Sequence, residues 1–136
     1  MYIEMTLSRM VLREGDDTGF LFLREVRGTR EFCIGVGVLE MVALRRLLDR
    51  EPTNSGPLPH QLLCDLVHQL GSGLRDVILD CDEAGGFGAR LRLVRDGTLL
   101  DVAARPSDAL GVALSCRPAL RIFVNERVLN QLEIET

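Results

Sequence analysis

Arg105-Pro106-Ser107-Asp108 places a guanidinium, a hydroxyl and a carboxylate side by side, just ahead of an apolar run from Ala109 to Cys116. A guanidinium neutralises and orients a phosphate, and a carboxylate accepts a proton, orients water or holds a cation. Pro106 suits the first turn of a helix, where its missing N–H costs nothing and its φ is already helical. Ser107 and Asp108 then lie among the unpaired N–H groups of that turn, at the positive end of the helix dipole. Capping of the helix start is the other role open to these residues.

Two further residues carry comparable chemistry. Glu40 falls between Leu44 and Leu47 on a helical projection, inside an apolar stripe. Buried alone there, a carboxylate would cost on the order of several kcal/mol, so it must be paired, hydrogen-bonded or at the rim of a cavity. His60 sits in the first turn of a second expected helix, where the dipole disfavours protonation and leaves the imidazole able to accept a proton or a metal. An ion pair with an arginine accounts equally for Glu40, and a packing role for His60.

The elements that must position these groups are legible in the pattern. Residues 2–13 read as a strand, followed by a turn over 14–19, a strand over 20–26, a tight turn at 27–29 and a strand over 30–37. That is an antiparallel meander. A helix over 38–50 should bury Met41, Leu44, Leu47 and Leu48, with Arg45, Arg46 and Asp49 outward. Residues 51–59 form a loop rich in Pro, Asn, Ser and Gly. A second helix over 60–70 should bury Leu63, Leu66, Val67 and Leu70, leave His68 exposed and end at Gly71.

Further strands are expected over 74–81 and 87–94, joined by the acidic, Gly-rich segment 82–86. Asp96-Gly97 signals a hairpin into the strand Leu99–Ala104, which delivers Arg105. After the buried helix, Leu120 to Val124 reads as a short strand, and Asn125 caps a last helix carrying Val128 and Leu129. The expected architecture is one α+β domain over residues 1–136, a mixed and largely antiparallel sheet packed with about four helices.

Composition sets limits on the partner. Hydrophobic residues make up 46% and charged residues 26%, an ordinary globular balance that argues against disorder. A net charge of −4 and a pI near 5.2 count against a general nucleic-acid binder. Any phosphate contacts must come from gathered arginines, since all 16 basic residues are Arg. There is no Trp and one Tyr, so platforms for base stacking are scarce. Cys33, Cys64, Cys81 and Cys116 form no C-x-x-C pair and are expected as free buried thiols. No apolar run reaches membrane-span length and no secretory signal is recognisable, so a cytoplasmic protein without membrane contact is expected. Ser107 lacks the flanking glycines of a nucleophile elbow, and no phosphate-binding Gly-rich loop or internal repeat is present.

The segments Met1–Met5, Phe20–Val26, Gly37–Glu40, Pro57–Leu63, Arg105–Ala109 and Ile122–Leu129, in that order and at those spacings, resemble the bifunctional nuclease family. The resemblance covers most of the chain. It implies an α+β domain, usually oligomeric, for which cleavage of DNA and RNA has been proposed. Two departures bear on activity. Where the family has Thr-His-Asp, this chain has Pro59-His60-Gln61, and where it has Asp-Ala-Arg-Pro-Ser-Asp, this chain has Ala103 for the first Asp. Asp101 shares the strand parity of Ala103 but lies one repeat further from the loop, a poor substitute. If those carboxylates hold a divalent cation in the relatives, this member binds Mg²⁺ or Mn²⁺ weakly or not at all.

Two functions follow as expectations. The first is phosphodiester hydrolysis of DNA or RNA, weak and metal-dependent, at Glu40, His60, Arg105, Ser107 and Asp108. There Arg105 would bind phosphate, Asp108 and Glu40 would hold a cation or water, and His60 would serve as base or ligand. The second is a non-catalytic oligomeric binding or scaffold module, in which Arg105 merely bridges Asp108 and Glu40. Either way a homo-oligomer is expected, because a meander leaves strand edges to cover.

Overall fold

The computed structural model describes every residue except 14, 16, 50–55, 82, 83, 85 and 133–136. The acidic segment at 82–86 and most of the loop at 51–59 therefore lie largely outside the described residues. The elements run β1 (Tyr2–Leu12), β2 (Thr18–Glu25), β3 (Glu31–Gly37), α1 (Val38–Asp49), α2 (Pro59–Gln69), β4 (Gly73–Cys81), β5 (Phe87–Arg95), β6 (Thr98–Ala104), α3 (Pro106–Ser115), β7 (Arg121–Asn125) and α4 (Glu126–Leu132). The strands make one seven-stranded sheet in the order β3-β2-β1-β7-β4-β5-β6. Every pair is antiparallel except β4–β7, so the fold is α+β with a mixed sheet.

Turn chemistry sets the hairpins. Asp96 and Gly97 both take positive φ, 50° and 78°, and this turn holds Arg95 opposite Thr98. β6 thereby runs antiparallel along β5 and ends next to Arg105. At the other end of the chain the Asn125 side chain accepts a hydrogen bond from the Arg127 N–H at 3.0 Å, the cap expected for α4.

Strand alternation sends Met5, Leu21, Leu23, Val77, Leu79, Ile122 and Val124 to one face, where α1 adds Met41, Leu44 and Leu47, α3 adds Ala109, Leu110 and Ala113, and α4 adds Val128 and Leu129. Leu48, expected in the core, is exposed because it lies a full 100° from Leu47. The sheet curls enough that Phe32 of β3 and Phe87 of β5 meet edge to face, ring centroids 6.4 Å apart, although four strands separate theirs in the sheet.

The opposite face is built from ion pairs. Arg92 grips the buried Asp76 in a two-pronged contact at 2.5 and 2.6 Å, and Arg90 reaches Asp101 at 3.0 Å and the Tyr2 hydroxyl at 3.3 Å. Leaving Asp76 without Arg92 would strand a charge that is only 5% exposed. These arginines are thus committed to the sheet. Asp101, being held by Arg90, does not stand in for a carboxylate at Ala103.

α2 is bound differently from the expected pattern. Leu63, Leu66 and Leu70 are 47%, 49% and 70% exposed, and Leu62 is also out, so the proposed stripe faces solvent. His60, Gln61, Cys64 and Val67 face the body instead. The physical reason is a small-residue neighbour: α3 offers Gly111, and a Cβ there would lie 2.7 Å from the His60 ring. An imidazole and a thiol fit this close approach where branched leucines do not. Among the described residues no helix is long and apolar enough to cross a membrane.

Candidate functional site

His60 on α2 lies beside Asp108 and Gly111 of α3, and Cys64, one turn later, lies beside Val112 and Cys116. The two helices therefore run parallel, with both N-termini at the same end. α1 begins there too, because Glu40 in its first turn reaches Arg105 at 3.7 Å. The starts of α1 and α3 thus meet at Arg105, and the start of α2 joins them through Asp108. Neither Leu58 nor Arg105, the N-cap residues of α2 and α3, supplies a side-chain cap, and Asp108 gives its oxygens to Arg105 and His60. At α2 the Gln61 side chain accepts the Leu58 N–H at 2.7 Å, and first-turn N–H groups are left for another acceptor.

The polar groups form a chain across these starts. Arg105 Nε donates to Asp108 Oδ2 at 2.9 Å, and His60 Nε2 lies 3.2 Å from Asp108 Oδ1. An ionised carboxylate only accepts, so His60 Nε2 is the donor of this contact. His60 Nδ1 is buried with no partner among the described residues. The Arg105 hydrogen bond pulls the Asp108 carboxyl below its ordinary value, against the opposing effect of burial and with further help from His60. Asp108 in turn raises the Arg105 guanidinium.

Glu40, Arg105, Pro106 and Ser107 line a cleft of about 310 Å³ together with Gly37 and Phe87. Its two sides come from β3 with α1 and from β5 with α3, which only the curl of the sheet brings together. A Cβ at Gly37 would lie 2.5 Å from Glu40 Oε2 and push that carboxylate aside. Arg105 is the open member of the group, its side chain 69% exposed, whereas Ser107 is 8% exposed.

All five sequence candidates therefore fall in one region: Glu40, Arg105 and Ser107 at the cleft, Asp108 behind Arg105, and His60 behind Asp108. Gly37, Phe87 and Gly111 were missed as site residues. A glycine inside the apolar run Ala109–Cys116 was the available signal for Gly111, since mid-helix glycine usually marks a close approach. The donors do not suit a divalent cation. Asp108 spends its two oxygens on Arg105 and His60, Glu40 turns to Arg105, and among the described residues no three His, Cys, Asp or Glu side chains are grouped to hold a metal ion.

Arg105 against Asp108 and Glu40 leaves −1, a formal charge that the positive ends of the α1 and α3 helices offset by about +0.5 each. In a chain of net charge −4, that is a place where a single anion is tolerated.

Two Mycobacterium tuberculosis proteins, uncharacterized protein MT1877 of strain CDC 1551 / Oshkosh and uncharacterized protein Rv1829 of strain ATCC 25618 / H37Rv, are each 39% identical to this chain over 112 residues. The match covers 82% of this chain and 64% of each relative, so just under two-thirds of their length is spanned. Residues 21–136, which hold the cleft and every candidate residue, match the bifunctional nuclease domain. The chain belongs to the bifunctional nuclease domain family.

Proposed function

We propose that this protein binds a phosphodiester of DNA or RNA in the Arg105 cleft and hydrolyses it slowly. The observation that carries the reading is an exposed arginine at the start of α3, ion-paired to the first turn of α1 and linked through Asp108 to the start of α2, because backbone N–H groups and a guanidinium are what a phosphate's oxygens require. Arg105 binds the phosphate and stabilises charge as it develops. Glu40, on the facing wall, orients water and accepts its proton. Asp108 fixes Arg105, and His60 fixes Asp108. His60 is a positioning residue rather than a base or ligand, since Nε2 is spent on Asp108 and Nδ1 is buried. No cation enters this reading, in line with the donor geometry. The acidic surface keeps affinity low and dependent on few contacts, so salt weakens it.

A second reading, an oligomeric binding or scaffold module without catalysis, draws support from one observation. Leu62, Leu63, Leu66 and Leu70 form an exposed apolar face on α2, of a kind that copies of a chain cover in one another. Homo-oligomerisation suits both readings.

Cleavage of labelled single-stranded DNA and RNA by the purified protein, in chelator and in Mg²⁺ or Mn²⁺, separates them. The proposal expects slow cleavage in chelator that Arg105→Ala lowers at least about a hundredfold, the scale of losing a charge-stabilising group. Cleavage that survives Arg105→Ala, or activity present only with metal, overturns it. No cleavage by a folded oligomer supports the second reading.

A further inference from the structure

Cys64 on α2 and Cys116 at the end of α3 hold their sulfurs 3.5 Å apart. Both are free thiols, and both line the cavity of about 560 Å³ at the C-terminal ends of the two helices, so a small reagent reaches them from solvent. α2 is the most loosely held helix of the three at the site. None of its residues is fully buried, and its attachment to α3 runs through His60 and Cys64, one turn apart on the same side. A covalent bond at Cys64 would therefore fix the one element that carries His60.

We propose that Cys64 and Cys116 are a reversible dithiol–disulfide couple that locks α2 onto α3, with a small-molecule disulfide as oxidant and a small thiol as reductant. One cysteine loses its proton, and the thiolate attacks the small disulfide. A mixed disulfide forms, and one small thiolate leaves and takes up the proton. The second cysteine sulfur then attacks the protein sulfur of the mixed disulfide, releasing the second small thiol. Two protein thiols are oxidised, one small disulfide is reduced to two thiols, and the sulfurs close from 3.5 Å to about 2.05 Å.

The rate has a built-in brake. Burial pushes the Cys64 thiol up to about 12, with Cys116 and Asp65 adding to it, and burial raises Cys116 as well. Arg75, Arg117, Arg121 and His68 also line the cavity, and the three guanidiniums favour a thiolate. The thiolate is still scarce at neutral pH, so oxidation is slow there and quickens about tenfold per pH unit over the alkaline range below that value.

The full-length chain is equilibrated with glutathione disulfide at pH 8.5, and thiols are counted, cross-linked peptides mapped and thermal unfolding followed. The proposal expects two of the four thiols to disappear, one peptide pair joined through Cys64 and Cys116, and a midpoint raised by at least about 5 °C that dithiothreitol reverses. Cys64→Ser and Cys116→Ser should each instead keep glutathione as a mixed disulfide. Should either fail to fold, the Cys33→Ser variant, whose substitution lies on β3, must still lose two thiols. Four persisting thiols, a bridge that involves Cys33 or Cys81, or a bridge between chains overturns the proposal. The readout does not depend on nuclease activity.

Discussion

His60 is bound on both sides of its ring, by Asp108 at Nε2 and by the bare backbone of Gly111, and substitutions there report on the site without touching the cleft. Gly111→Ala forces a Cβ to 2.7 Å from the imidazole, so the ring must leave or α2 must lift. A loss of about 1–3 kcal/mol in denaturant unfolding is expected, despite the better helix propensity of alanine. The Asp108 carboxyl, pulled below its ordinary value of 3.8, gives a signed pH dependence. A depressed folded-state pKa contributes stability that is present above the unfolded value and is lost as pH falls through the folded one. Asp108→Asn should therefore cost up to about 1 kcal/mol at pH 7, limited by the partial exposure of the pair, and the deficit should vanish well below pH 4 in paired melts. The ion pair of Glu40 with an arginine was one of the readings open from its place in an apolar stripe. The His60–Asp108 contact was not legible, since it joins residues 48 positions apart and no local pattern encodes it.

At the scale of elements, the strands and helix spans followed from alternation, turn residues and Pro106, whereas the buried side of α2 did not. Leu62, Leu63, Leu66, Val67 and Leu70 make an arc wide enough that periodicity alone favours it. What decided the outcome was tertiary: Gly111 and the thiol pair let α2 approach α3 along His60 and Cys64. Leu66, half exposed, should then be replaceable. Leu66→Glu is expected to change the stability of the isolated chain by no more than about 0.5 kcal/mol, and to weaken self-association measurably in sedimentation velocity. A core-like loss of 2 kcal/mol or more, within the usual range for a buried leucine, would return Leu66 to the interior.

Over the whole molecule, the site depends on pairings that sequence patterns do not reveal. The parallel β4–β7 pair sets Asp76 opposite Arg121, and it places β7 between the two antiparallel halves of the sheet. The curl that joins Phe32 to Phe87 then closes β3 and α1 onto α3, and so brings Glu40 to Arg105. Both edge strands, β3 and β6, remain available for association, and β6 exposes Leu99, Leu100 and Val102 along its length. The central claim is that Arg105 and the helix starts linked through Asp108 form one anion site. Titration of the ¹⁵N-labelled protein with a dinucleotide, followed by backbone amide shifts, tests it most directly. The account predicts saturable shifts at the amides of His60, Gln61, Ser107 and Asp108 that Arg105→Ala abolishes. Shifts that leave these amides still, and cluster instead at Arg75, Arg117 and Arg121 on the cavity at the far ends of α2 and α3, would contradict it.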